Sequence, residues 1–300
     1  TADKKLEEVR ANAVQVLTDY RASETYDVVW MHKIKLVRDG FISDLQKAQT
    51  VAELNKLLEQ AKNEIDAIID QIPETGAWDG VTKTEPKADE NGVYQITSGD
   101  ELAWFADQVN QGKGSLNAVL CNDISLGGKY WTPIGKSADK TFSGTFDGQG
   151  HVIRGLYQDV ESDFTGLFGA VRGAGASVSH LTVSGNIKLG GRVTYVAGIA
   201  GYVAGKNSDA KAQITDCHSK VSITVTGIRT LDAGVAGVAG YSTNAKITNC
   251  SNEATVEIVS AGRGGLTYYA GGIVGVARTG CQIEACTNKG TVWSAHAAGG

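Results

Sequence analysis

One pattern constrains this chain more than any other. A Gly-x-x-Gly unit recurs as Gly166-Leu-Phe-Gly169, Gly198-Ile-Ala-Gly201, Gly237-Val-Ala-Gly240 and Gly272-Ile-Val-Gly275, and a further copy starts at Gly300. The first glycines lie 32, 39, 35 and 28 residues apart. Self-similarity at such a period is the mark of a solenoid, in which no single repeat buries its own apolar face.

A second element follows each unit and aligns without gaps: Val178–Leu189, Ile214–Val225, Ile247–Ile258 and Ile283–Ser294. Read down the columns, position one is Val178, Ile214, Ile247 and Ile283, and position four is Leu181, Cys217, Cys250 and Cys286. Position ten is Ile187, Ile223, Val256 and Val292; position twelve is Leu189, Val225, Ile258 and Ser294. Between these last two stand Lys188, Thr224, Glu257 and Trp293, so the element ends in the period-two alternation of a strand with one buried face. Like residues in like columns imply coils stacked at strand spacing, about 4.8 Å. Each inward Val or Ile contributes roughly 1.5–3 kcal/mol, enough over a coil to offset ordering without disulfides. The paired glycines are expected at corners, where positive φ or a close approach between coils excludes Cβ. Length varies at Lys206–Ala212, Thr226–Asp232 and Ser260–Leu266, which read as projecting loops.

Ahead of the repeats, Gly99–Val109 reads as a short helix with Leu102, Phe105, Ala106 and Val109 on one face and Ser98 or Asp100 as its cap. Such a helix would seal the first coil's open edge. A strand follows around Val119–Ile124, then Trp131-Thr-Pro-Ile-Gly135 and the run Phe142–Leu156. Taken in order, the helix, Asp123-Ile124, Trp131–Gly135, Phe142-x-Gly-x-Phe-Asp-Gly-x-Gly-His151 and the repeated Gly-x-x-Gly and Ile-x-x-Cys units resemble the GLUG-repeat family of bacterial surface and secreted proteins. The resemblance covers about 92–300. It implies a right-handed parallel β-helix, and a place in adhesins or in non-catalytic regions of large immunoglobulin A proteases. Ala200 and Ala239 depart from it, standing where a bulkier residue is common.

Residues 1–76 carry a different period. Three amphipathic stretches run through Leu6–Tyr20, Tyr26–Ala48 (with Gly40 as a candidate kink) and Leu54–Ile69. The last opens on Thr50 with Glu53 three residues on, a capping box, and the pattern stops at Pro73 and Gly76. Short connections predict a three-helix bundle. The stretch from Ala48 to Ile68 resembles a helical module that recurs in large surface proteins of Gram-positive gut bacteria. The predicted organisation is a bundle at 1–76, a linker and first strand at 77–98, and a capped β-helix at 99–300 cut short at its C-terminal end. The fold class is mainly β.

Composition bears on partners and compartment. The bundle segment holds 10 Lys and Arg against 14 Asp and Glu, and the remainder 18 against 19, so neither offers the basic excess that nucleic-acid binding needs. No apolar run approaches the ~20 residues that span a bilayer. The chain begins at Thr1, and any export signal or anchor is expected outside it. The five cysteines are odd in number and lack metal-site CxxC pairs.

Several residues stand out as site candidates, each with a plainer reading. Asp147-Gly-Gln-Gly-His151 sets a carboxylate near an imidazole, yet suits a tight turn. Asp159, Glu161 and Asp163 alternate like a calcium loop without its Gly or distal Glu. Cys217, Cys250 and Cys286 share a column with Leu181 and read as buried hydrophobes, while Cys281 and Cys286 stay undecided as a pair. Asp216, Glu253, Glu257 and Glu284 fall in different columns, so the paired carboxylates of a glycosidase are not formed. Tyr195, Tyr268 and Tyr269 precede Gly-x-x-Gly units as a candidate sugar-stacking strip or as edge packing. Trp30, Met31 and His32 read as ordinary helix residues. No catalytic, cofactor-binding or metal-binding residue is assigned, no cofactor is called for, and ligand-binding residues stay open. The expectation is a monomeric, non-catalytic spacer or adhesin segment outside the cell, presenting loops or a distal region to a host glycan or glycoprotein. The rivals are a carbohydrate-active enzyme and an accessory region of a secreted protease.

Overall fold

The computed structural model describes residues 2–20, 28–69, 76–228, 232–260 and 267–294. The chain divides into two compact units, Thr1–Pro73 and Glu74–Gly300.

In the first unit three helices, α1 (Ala2–Asp19), α2 (Val28–Lys47) and α3 (Val51–Ile69), pack on one another. Leu17, Ile34, Leu45, Leu54, Ala61 and Ile65 form their shared core. The capping box at α3 forms with a shift. The Glu53 backbone N–H donates to Thr50 Oγ1 at 3.1 Å, while the Glu53 carboxylate reaches back to the N–H of Gln49 at 2.9 Å, one residue earlier than the usual partner. Two arginines take up carbonyls past the ends of neighbouring helices, Arg38 that of Tyr20 and Arg10 that of Ala48. Gly40 does not break α2, which runs on to Lys47. Met31 and His32 are exposed, and the side chain of Trp30 lies outside the described residues.

The second unit is a parallel β-solenoid. Three strand columns repeat through four coils: 164–190, 195–226, 233–260 and 268–294. Two columns are four-stranded sheets, one of Phe164–Thr165, Tyr195–Ala197, Ala233–Ala236 and Tyr268–Gly271, the other of Phe168–Arg172, Ala200–Ala204, Ala239–Thr243 and Val274–Ala277. The third runs on from the earlier strands Val93–Ile96, Asn117–Leu120 and Thr145–Asp147 into Ser177–Gly190 and Ala212–Thr226.

Pairing is parallel and follows the aligned columns. Ile187 pairs with Ile223, Ile223 with Val256 and Val256 with Val292. The first three are wholly buried; Val292, in the last described coil, is 37% exposed. Cys217 lies opposite Leu181 and is buried, as is Cys250, whereas Cys286 is only half-buried.

At the other end, α4 (Gly99–Asn110) turns Leu102, Phe105, Ala106 and Val109 into the core. The Phe105 ring meets Phe142 and Phe146 at 6.1 and 6.0 Å, and both of these meet Phe168 at 5.3 Å, so the helix covers a layered aromatic core. Ser98 holds the N-cap position but makes no side-chain cap bond. The Glu101 carboxylate instead binds the N–H and hydroxyl of Thr97 at 2.6 and 2.8 Å, fixing the entering chain from within the first turn. The strand expected around Val119–Ile124 is two short ones, Asn117–Leu120 and Ile124–Ser125. Between them the chain bends at Asp123, whose carboxylate accepts the Val152 N–H of the next coil.

The Gly-x-x-Gly glycines are required by close approach far more than by φ, since of them only Gly166 has positive φ. A Cβ at Gly201 would sit 2.7 Å from Tyr195 O and 2.8 Å from Thr165 N, and one at Gly240 2.6 Å from Val196 N. In coils two to four the unit's first glycine also makes room for a side chain of its own coil: a Cβ on Gly198 would lie 2.2 Å from Ser219 Oγ, on Gly237 2.4 Å from Asn252 Cγ and on Gly272 2.2 Å from Asn288 Cγ. Positive φ falls instead to a non-glycine column, His180, Asp216, Asn249 and Ala285, at 49, 51, 55 and 52°. Asn and Asp tolerate this region best among such residues.

Candidate functional site

Polar columns build the outward face of the third strand column. Thr182, His218, Ser251 and Thr287 stand in register through the four coils. His218 Nδ1 lies 2.9 Å from Ser251 Oγ. Beside them Glu253 Oε2 lies 3.4 Å from Lys220 Nζ and Glu253 Oε1 3.5 Å from Lys289 Nζ, bridging three coils. Burial pushes the Glu253 carboxyl up, but the two ammonium groups outweigh it and hold the group below its ordinary value. These residues, with Asn249 and Cys250, line an open groove of about 420 Å³ that crosses all four coils. Donors and acceptors alternate along it, which suits a ligand held by many hydrogen bonds.

Beneath the groove lies the cysteine column. Cys217 Sγ donates to Val178 O of the preceding coil at 3.6 Å and to Thr215 O at 3.4 Å. Cys250 repeats this with Ile214 O at 3.6 Å and Thr248 O at 3.3 Å, and Cys286 with Ile247 O at 3.6 Å and Glu284 O at 3.3 Å. All five cysteines are free thiols, Cys281 lying against the Ser242 hydroxyl rather than Cys286. Burial pushes the Cys217 thiol up.

One more column was unread in the sequence. Asn252 Nδ2 donates to Asn288 Oδ1 at 2.8 Å and to Ala254 O at 2.8 Å, an amide ladder in the space that Gly237 and Gly272 leave open. The signal was present, since Ser219, Asn252 and Asn288 align two places after the cysteines.

The remaining candidates separate. Asp147 Oδ1 accepts the Gln149 N–H at 2.9 Å, a turn, and meets His180 Nδ1 at 2.9 Å, while His151 Nδ1 meets Asp123 Oδ1 at 3.1 Å. The imidazole and carboxylate of that motif therefore pair with other coils, not with each other. Asp159 accepts from the Tyr157 hydroxyl and Asp163 from Thr194, and Asp159, Glu161 and Asp163 are all exposed. Asp216 faces His180 Nε2 at 3.6 Å, Glu284 faces Lys246 at 3.4 Å and Glu257 pairs in register with Trp293, so these carboxylates do not converge with Glu253. Among the described residues no group of three or more His, Cys, Asp and Glu is placed to hold a metal ion.

Tyr195 joins Phe164, Tyr202 and Tyr241 rather than Tyr268 and Tyr269; Tyr269 lies two coils on in the same column, next to Gly234. Tyr202 and Tyr241, which immediately follow Gly-x-x-Gly units, stack at 5.1 Å and 6°. Phe164 and Tyr195 are also near parallel, at 6.1 Å and 9°, and Tyr195 meets Tyr202 and Tyr241 tilted, at 35 and 39°.

Residues 233–257 and 267–292 match the GLUG motif. No curated protein matches the chain significantly. A crystal structure from Bacteroides ovatus, named "putative immunoglobulin A1 protease", resembles this chain at 17% identity and a TM-score of 0.45, over 71% of this chain and 76% of that one. The motif falls on coils three and four, whose columns continue without a break into coils one and two. This chain carries GLUG repeats, and they wind a parallel β-helix.

Proposed function

We propose that this chain is a segment of a surface or secreted protein in which the β-helix is a non-catalytic spacer and adhesin, binding a glycan along its polar groove. The observation that carries the reading is the groove itself: about 420 Å³, open, crossing four coils, and lined by hydroxyls, an amide, an imidazole, two ammonium groups and a carboxylate. A chain of hydroxylated rings offers donors and acceptors in succession, as the groove does. Rigid strands hold these side chains, so little ordering entropy is lost on binding.

The test is a glycan array probed with the chain, followed by a reducing-end assay on any glycan retained. Retention that falls in Lys220→Ala and in Glu253→Gln, with no new reducing ends, supports the reading. Binding indifferent to both substitutions, or none at all, removes the groove from it. Release of reducing ends would transfer the case to a carbohydrate-active enzyme.

A further inference from the structure

The three sulfurs of the cysteine column share one geometry. Each donates to a carbonyl of the coil before at 3.6 Å and to the carbonyl two residues earlier in its own strand at 3.3 to 3.4 Å. Pairing is in register on both sides of the column, Thr215 with Thr248 and His218 with Ser251, then Thr248 with Glu284 and Ser251 with Thr287. The sulfurs are therefore translated copies of one another, and they repeat at the strand spacing of about 4.8 Å.

That spacing is wrong for a disulfide. An S–S bond is about 2.05 Å long and wants Cβ atoms about 3.8 Å apart, so two coils would have to abandon their hydrogen bonds to close it. It is right for something else. Thiolate bonds to a filled-shell ion run about 2.3 Å, so a linear sulfur–metal–sulfur bridge spans about 4.6 Å. Side chains stand roughly perpendicular to the sheet, so an ion between two such sulfurs meets each Cβ–Sγ bond near a right angle. Soft thiolates select monovalent copper and its congeners, which accept two ligands in line.

We propose that Cys250 and Cys286 form a two-coordinate site for a soft monovalent cation of the Cu(I) or Ag(I) type, bridging coils three and four. This pair is favoured over Cys217 and Cys250 by access. Cys217 and Cys250 are both wholly buried, at 0 and 1% exposed, whereas Cys286 on the last described coil is half-buried and gives an ion a way in. In binding, each thiol gives its proton to water and each sulfur donates a pair to the ion. The bridged bis-thiolate carries one negative charge, spread over the two sulfurs and reached by solvent on the half-buried Cys286 side. No electron is transferred, so no oxidant or reductant is needed. A zinc ion, which seeks four ligands, finds only two here.

The experiment is an anaerobic titration of the reduced 300-residue chain with Cu(I) held as its bicinchoninate complex. The expected result is withdrawal of one equivalent by the native chain and by Cys121→Ser and Cys281→Ser, and loss of that uptake in Cys250→Ser and Cys286→Ser. Zinc offered against a weak chelator should not be retained. Should Cys250→Ser fail to fold, Cys286→Ser on the half-exposed coil decides alone, with circular dichroism confirming its native strands. No uptake by the native chain, or undiminished uptake by Cys286→Ser, overturns the proposal.

Discussion

Gly40 and Gly240 are the same residue under opposite constraints. Nothing lies within 4 Å of a Cβ built on Gly40, and α2 passes through it unbroken. There glycine supplies only backbone freedom to the unfolded chain, so Gly40→Ala should stabilise the bundle by about 0.5–1 kcal/mol. At Gly240 a Cβ would meet Val196 N at 2.6 Å, Gly201 O at 2.7 Å and Gly234 O at 2.9 Å, all backbone. Backbone in a paired sheet cannot turn aside as a side chain does. Gly240→Ala should destabilise the β-helix by about 1–3 kcal/mol or more, as overpacking does. Thermal melts followed by far-ultraviolet circular dichroism check both signs. A Gly240→Ala chain as stable as the native one would mean that the coils are not packed to backbone contact.

At the scale of elements, the apolar alignment was legible because apolar columns repeat. Ile187, Ile223 and Val256 are paired and buried as their column predicts. What escaped notice is polar. Lys220, Glu253 and Lys289 look like surface charges singly, and only stacking makes them a bridged ladder along a groove. Tyr202 and Tyr241 were missed because the ring in coil one at that register is replaced by Ala170, which breaks the column. The paired glycines were expected to serve positive φ or a close approach; close approach is what they serve, and positive φ falls to His180, Asp216 and Asn249. The helix α4 was readable from four apolar residues at helical spacing. Its contribution is testable: Leu102 and Phe105 are both fully buried, and Phe105 anchors the aromatic layer. Losing such a ring costs about 3–5 kcal/mol before any charge is buried. Leu102→Asp with Phe105→Asp should lower the melting point of the β-helix and expose its edge to self-association, seen by light scattering. A monomeric double mutant with an unchanged melt would show that the coils hold without the helix.

Across the whole β-helix, each coil draws stability from its neighbours, so stability depends on position along the stack. At one end lie α4 and the layered rings of Phe105, Phe142, Phe146 and Phe168, all buried. At the other, Ile283, Val292 and Trp293 of coil four, which pairs with coil three, are 45, 37 and 47% exposed. Opening should then begin at coil four and pass inward, with local unfolding free energies rising toward the capped end. The cysteines of the column report this directly, one in each of coils two, three and four. Cys286 is half-buried already, Cys250 becomes open when coil four lifts, and Cys217 needs coil three to lift as well. Labelling by a maleimide under native conditions, followed residue by residue by mass spectrometry, should therefore run Cys286 first, Cys250 next and Cys217 last. In denaturant the three rates should converge. If Cys217 and Cys250 label together in native buffer, the coils open as one cooperative block, and the groove over them is a single rigid body rather than one that loosens from its far end. Cys250 lies on the floor of that groove, so the same measurement bears on binding. A ligand spanning coils two to four must leave before coil four lifts, so it should slow the labelling of Cys250 and of Cys217 by the same factor.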